Sequence, residues 1–207
     1  MKGLTILALV FGPLVMAADS VIPQGQPLTV VVGDHAGMGG PTVRKAARLA
    51  QRILRDAGVS TEWTTCASTE LEGVSFYPCQ FSSGQPDLVL RILPKAAPGL
   101  PVPRVSMGVA VPGEPGEFGA HAYVYYDRVR RAAEFCKCDE LRILGHALAH
   151  EIGHLLGLEH STSGIMCADW SMSTLVHMSR GHVLFSPDEA RRMQANVGAR
   201  VLQRASR

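Results

Sequence analysis

Long runs of one charge are missing from this chain, and no second apolar stretch after the N-terminus is long enough to cross a membrane. The formal net charge is only +2, and the one basic cluster, Arg128-Val129-Arg130-Arg131, is too short for a binding stripe. Charge therefore points neither to a nucleic-acid surface nor to a polybasic membrane anchor, and the cluster is expected to be a solvated face. Internal repeats, low-complexity blocks and linkers able to divide the chain are absent as well. With 46% apolar and 18% charged residues, the composition suits one globular domain and argues against disorder.

What is present starts with a segment expected to lie outside the fold. Lys2 gives a positive start, Leu4 to Met16 is an apolar run broken only by Thr5, Gly12 and Pro13, and Ala17-Ala18 precede polar Asp19-Ser20. That order is the pattern of a secretory signal peptide, and the run is shorter than the roughly 20 apolar residues of a spanning helix. The expectation is a signal peptide over 1–18 and a single domain over 19–207. The product would be secreted or periplasmic, free of the membrane after cleavage, and monomeric.

An exported setting makes disulfides the default for the five cysteines, Cys66, Cys79, Cys136, Cys138 and Cys167. Cys66 with Cys79 would close a short loop, but either could pair with Cys136 or Cys138. The odd count leaves one thiol over, and Cys167 is the expected free residue. Cys136-Lys137-Cys138 lacks a second Cys pair at ligand spacing, so a thiolate zinc site is disfavoured.

Local patterns order the elements. Leu28 to Val32 is a β-branched run closed by Gly33-Asp34, the mark of a buried strand. Val43, Ala46, Ala47, Leu49, Ala50, Ile53 and Leu54 keep helical spacing as far as Gly58. Further strands are expected over Ser60–Cys66, Asp87–Leu93, Val105–Val111 and His121–Tyr126, with a polar loop before the second and a proline-rich irregular stretch over Ala96–Pro103. A long helix is expected from about Asp139 to Leu156. A last one begins at a capping box, Ser186-Pro187 with Glu189. A first strand–helix–strand unit implies a crossover and a mostly parallel sheet. One strand near Val105 or His121 could turn back to make a mixed edge.

The chemistry is concentrated in His150-Glu151-Ile152-Gly153-His154. Residues four apart share a helix face, so the two imidazoles can meet one metal while Glu151, one position on, leans over its open side. A helix continued past Leu156 would carry His160 to another face. Gly157 can take a positive φ, end the helix and turn the chain, so that His160 returns as third ligand. Three nitrogens leave tetrahedral zinc one open position, as in catalytic sites.

From His150 to His160, with Met166 six residues on, the chain resembles the metzincin zinc metallopeptidases, whose motif is an extended zinc helix followed by a methionine turn. Ser161 after the third histidine is similar to the matrixin branch. The resemblance implies an α+β, zincin-like fold. Its mixed, mostly parallel twisted sheet of about five strands would have one antiparallel edge strand, an active-site helix and a C-terminal helix. It implies a zinc-dependent endopeptidase with one catalytic Zn2+, Glu151 as general base, Met166 as an apolar floor under the imidazoles, and a peptide or protein as substrate. The peptide would lie along the edge strand Val105–Val111, facing Ser106-Met107-Gly108-Val109. Met107, Gly108 and Trp170 are the candidate pocket residues, within a pocket shaped by Cys167–Ser173 and with His177 and Met178 as contributors. The sequence shows no cysteine-bearing latency segment and no Asp- and His-rich metal loop over Pro103–Asp127, and Ala168 stands where some metzincins have tyrosine. No claim is made for calcium.

Blander roles suit the remaining candidates. His146, one turn before His150, is expected to be a buried, hydrogen-bonded residue, and Glu159 a solvated carboxylate. Gly33-Asp34-His35 is expected to be a turn, His121 a cross-strand residue, and Tyr123, Tyr125 and Tyr126 strand packing. Two other classes compete with an endopeptidase: a zinc-binding homologue used for adhesion or inhibition, and a hydrolase limited to small peptides. Retention of Glu151 favours turnover over the first. Cleavage of proteins as against dipeptides separates the second.

Overall fold

The computed structural model describes residues 26–67, 69–71, 74–76, 86–96 and 106–205. The expected signal segment, Cys79 and most of the proline-rich stretch lie outside the described residues.

The chain begins with β1 (Leu28–Asp34), α1 (Gly40–Asp56) and β2 (Thr61–Ala67), then a short antiparallel hairpin of β3 (Thr69–Leu71) and β4 (Val74–Phe76). β5 (Leu88–Leu93), β6 (Gly108–Val111) and β7 (His121–Tyr125) follow. Four helices finish the described chain: α2 (Tyr126–Cys136), α3 (Glu140–Leu155), α4 (Met172–Ser179) and α5 (Pro187–Ala205). The main sheet has five strands in the order β2-β1-β5-β7-β6. All neighbours are parallel except β6, which runs antiparallel to β7 at one edge. The result is a mixed α/β fold with a mostly parallel sheet, as the strand–helix–strand order requires. No described helix is long and apolar enough to cross a membrane.

Burial explains the layers. β1 is covered almost throughout because it has strands on both sides and α1 against it. The buried positions of α1, Val43, Ala46, Ala47, Ala50, Ile53 and Leu54, are those with helical spacing in the sequence. α3 is the apolar centre of the molecule, buried from Ile143 to Gly153 and again at Leu155, and it packs on α1 and the β5-β7-β6 side of the sheet. α1 and α3 approach closely at Gly145, where a Cβ would stand 2.7 Å from Leu49 Cδ2.

The C-terminal helix acts as a clasp. Gln194 donates to Ala57 O at the end of α1 (2.9 Å), Asn196 to Leu156 O at the end of α3 (2.8 Å), and the largely buried Arg200 to Leu155 O (3.3 Å) and Asp87 O (3.0 Å). Helix ends leave carbonyls without intrahelical partners, and α5 supplies donors to three of them, at the ends of α1 and α3.

Several expectations need correction. The strand expected from Val105 starts at Gly108, and Tyr126 opens α2 instead of closing β7. The basic cluster Arg128–Arg131 lies on that unexpected helix, where Arg130 and Arg131 pair with Glu134 and Asp127 while Arg128 turns inward over the Tyr125 ring. α4 occupies a stretch expected to be irregular, and the polar loop before β5 contains the β3–β4 hairpin. The Sγ atoms of Cys136 and Cys138 lie 2.08 Å apart, and Cys167 is free, as expected.

Candidate metal centre and its cleft

Asp139 starts α3 by accepting from Leu141 N at 2.9 Å, an N-cap that fixes where the helix begins and hence which residues face the cleft. The helix ends at Gly157 in a Schellman turn. Leu158 N donates to Gly153 O and Gly157 N to His154 O, both at 2.9 Å, with Gly157 at φ +80°. The bend reverses the chain and brings His160 back beside the helix.

The three imidazoles converge. His154 Nε2 is 3.1 Å from His150 Nε2 and 3.2 Å from His160 Nε2, and the three candidate ligand atoms all lie within 4.8 Å of one another. Nitrogens about 2.0–2.1 Å from a tetrahedral zinc stand roughly 3.3 Å apart, so the spacing fits a single ion. The opposite ring atoms fix the tautomers. His150 Nδ1–H donates to Ile165 O (2.7 Å) and His154 Nδ1–H to Leu158 O (2.8 Å), leaving each Nε2 with a free lone pair. Burial holds the His150 pKa down at about 4 and lowers that of His154, so both rings are neutral donors near pH 7.

Met166 is fully buried, and a Cβ on Gly153 would stand 2.6 Å from its Sδ, so the glycine between the two helix-borne histidines is what admits it. Ser161 N donates to Met166 O (2.9 Å), and Ser161 bridges Cys167, which closes the turn that follows His160. Trp170 Nε1–H donates to the same Ile165 carbonyl that holds His150 (3.3 Å), and its ring stands edge-on to His150 at 5.6 Å.

Glu151 lies at the back of a cleft of about 1000 Å³ between β6 and the turn after His160. It is 3% exposed, its Oε2 has no hydrogen-bond partner among the described residues, and burial pushes its pKa up to about 8. An orphaned carboxylate oxygen beside three converging nitrogens fits a site built around a cation and a polar reactant. Among the described residues, Glu151 and Asp169 are the only acidic ones lining the cleft, and no Lys or Arg lines it.

The structure brings together His150, Glu151, His154 and His160, with Met107, Gly108, Cys167 and Trp170 along the cleft. It does not bring in His177, which is exposed, or Met178, which is buried in the core; neither lines the cleft, nor do Ser171–Ser173. His146 is fully buried with Nδ1–H donated to Arg142 O (2.7 Å), Glu159 is exposed, and Asp34 accepts from Ala36 N and Gly39 N as a turn residue. His121 sits on the exposed side of β7, 3.4 Å from Arg91. Sequence reasoning missed the carbonyls of Ile165 and Leu158, which carry no side-chain signal, and the role of Gly153. Its position inside the motif was the available clue to the latter.

No protein-family model matches the chain, and no curated protein matches it. Solved structures do. Archaemetzincin from Methanopyrus kandleri is similar with a TM-score of 0.56 at 19% identity, over 86% of this chain and 99% of that one. A zinc-dependent peptidase from Methanocorpusculum labreanum gives a TM-score of 0.55 at 17% identity, over 79% of this chain and 99% of that one. At such identities the likeness is one of architecture: the chain shares the fold of these two structures.

Proposed function

We propose that the chain is a zinc-dependent endopeptidase of the metzincin type with matrixin-like features, exported after loss of residues 1–18 and acting as a single catalytic domain over 19–207. The observation that carries the reading is the convergence of three imidazole nitrogens on one point with a buried, unpartnered carboxylate beside it. His150, His154 and His160 would hold Zn2+. The ion, when bound, supplies Lewis-acid polarisation of the scissile carbonyl and acidifies the attacking water.

The chain's own residues supply the rest. Glu151 accepts the proton of the attacking water and delivers it to the leaving amine. Burial keeps water from competing for this carboxylate, which raises its pKa. Met166 and Trp170 keep the ligand rings in place, the first from beneath Gly153 and the second through the Ile165 carbonyl. β6 is an edge strand, so a peptide can add to it main chain to main chain, with side chains entering the wall formed by Cys167–Trp170. In this reading Cys136 and Cys138 form a disulfide that an exported protein retains.

Metal analysis and a peptide-library digest, run beside Glu151→Ala, test it. The expected result is about one zinc per chain, chelator-sensitive internal cleavage by the parent, and a variant that keeps zinc but loses cleavage by on the order of 10²-fold or more. A variant cutting at the parental rate removes Glu151 from the chemistry. A chain that binds zinc and cuts nothing defeats the peptidase reading itself.

A further inference from the structure

The edge strand meets the active-site helix at one unusual point. Gly108, the first residue of β6, is buried, and a Cβ built on it would stand 2.5 Å from Glu151 Oε1 and 2.8 Å from Glu151 Cδ. Side-chain carbons do not approach other heavy atoms that closely, so the carboxylate occupies the volume a larger residue would fill. Gly108 is not at a positive φ, so backbone conformation does not demand glycine there.

We propose that Gly108 is a positioning residue for Glu151: the hydrogen in place of a side chain is what lets the carboxylate stand where it does. The inference rests on the proposed role of Glu151 as proton acceptor. Three further observations support it. No hydrogen bond among the described residues holds Glu151 Oε2, so packing has to place the group. Glu151 grows from a helix buried almost all round, which cannot retreat to make room. The strand cannot retreat cheaply either. It is laddered to β7 through Gly108–Val111, the carbonyl of Ser106 just before it accepts from Arg128, and the Ser106 hydroxyl donates to Gly108 O. On the Glu151 side, an added methyl would therefore be relieved mainly by rotating the carboxylate away.

The same virtual Cβ also lies 2.5 Å from Tyr123 O on the neighbouring strand. A purely structural reading would make that backbone contact the reason for the glycine, and the two explanations differ in what they couple. If the carboxylate is the obstacle, shortening or removing it should relieve Gly108→Ala. If the Tyr123 carbonyl is the obstacle, it should not.

The test is a double-mutant cycle on the full chain with two readouts. In the metal-free proteins, Gly108→Ala should lower the thermal midpoint of the parent but have a smaller effect in a Glu151→Ala background. A crystal structure of Gly108→Ala should show the carboxylate displaced, in addition to the local shift that the Tyr123 carbonyl imposes on β6. In the zinc-loaded enzyme, Gly108→Ala should keep one zinc and a KM within about twofold, while kcat falls on the order of 10²-fold, the size associated with about 1 Å of misplacement. In a Glu151→Asp background the same change should cost less than about tenfold, because the shorter acid leaves room for the methyl. Equal midpoint losses in both backgrounds, an unmoved carboxylate, or parental kcat in Gly108→Ala would overturn the proposal. Should Gly108→Ala fail to fold while Gly108→Ala/Glu151→Ala folds, the carboxylate was the obstacle; should both fail, the backbone was. Failure of the proton-acceptor reading is seen separately, as parental turnover by Glu151→Gln.

Discussion

Two of the candidate ligands and the third are held in different ways. His150 and His154 project from a helix buried in the core, and each ring is pinned by a carbonyl on its far nitrogen. His160 sits on an exposed turn, and among the described residues its ring comes within hydrogen-bond distance of His154 alone. The helix supplies a rigid pair, and the turn supplies an adjustable third arm whose position depends on how the helix is terminated. A buried pair keeps its geometry without further help, whereas the exposed arm depends on the backbone bonds of the turns on either side of it.

Removing one arm from each class should break or uphold that contrast, with the largest effect of all. His150→Ala should weaken zinc binding at least tenfold more than His160→Ala, because it removes a ligand preoriented by the shorter of the two hydrogen bonds to Ile165 O, and outer-shell partners alone carry 10–100-fold in affinity. Competition against a chromogenic chelator measures both. Equal losses would mean that the turn is as rigid as the helix.

The next effect is on stability against pH in the metal-free chain. Folded Glu151 titrates at about 8, above its ordinary 4.5, so between those values the folded state holds a proton that the unfolded state has lost. Stability therefore falls as pH rises through that window. His150 works in the other direction. Its folded value near 4 lies below 6.5, so acidification from about 6.5 to about 4 favours the unfolded chain. Below pH 6.5 the buried rings of His154 and His146, also lowered by burial, join His150 in opposing Glu151, and between pH 6.5 and 8 the Glu151 effect remains. Raising the pH from 6.5 to 8 should cost about 2 kcal/mol in denaturant titrations of the metal-free parent, and Glu151→Gln should abolish the slope. A parent with no slope would mean that the helix-borne carboxylate is already ionised and well solvated.

The smallest change tests the joint between the two regions. Gly157→Ala forces a side chain into the left-handed region, costing about 1–2 kcal/mol, and places a Cβ 2.4 Å from Asn196 Nδ2. A modest drop in the unfolding midpoint is expected, together with a loss of zinc affinity that matches His160→Ala more closely than His150→Ala. If affinity is untouched, the turn does not govern the third arm.

The motif from His150 to His160 was legible because metal geometry constrains both spacing and residue type, and Gly157 announced the bend. The main-sheet strands were legible from their apolar runs, and α1 from its spacing. α2 was not, because β7 passes into it at Tyr125 and Tyr126 with no glycine, proline or side-chain cap between them, so strand alternation ran on into a helix. α4 is eight residues long, too short for periodicity to stand out, although Ser171 caps it by accepting from Thr174 N. Gly108 was picked out as a pocket residue from the resemblance. That its missing side chain makes room for Glu151 depends on a contact across 43 positions, which no local pattern encodes. The same holds for Gln194, Asn196 and Arg200, whose partners are backbone atoms far along the chain.

Those last three contacts give the histidine-bearing helix a remote anchor. The carbonyls that finish it find their donors on α5, at positions 196 and 200. A change at Asn196 or Arg200, far along the chain from the three imidazoles, would slacken the bend after residue 156 and with it the placement of the third ring.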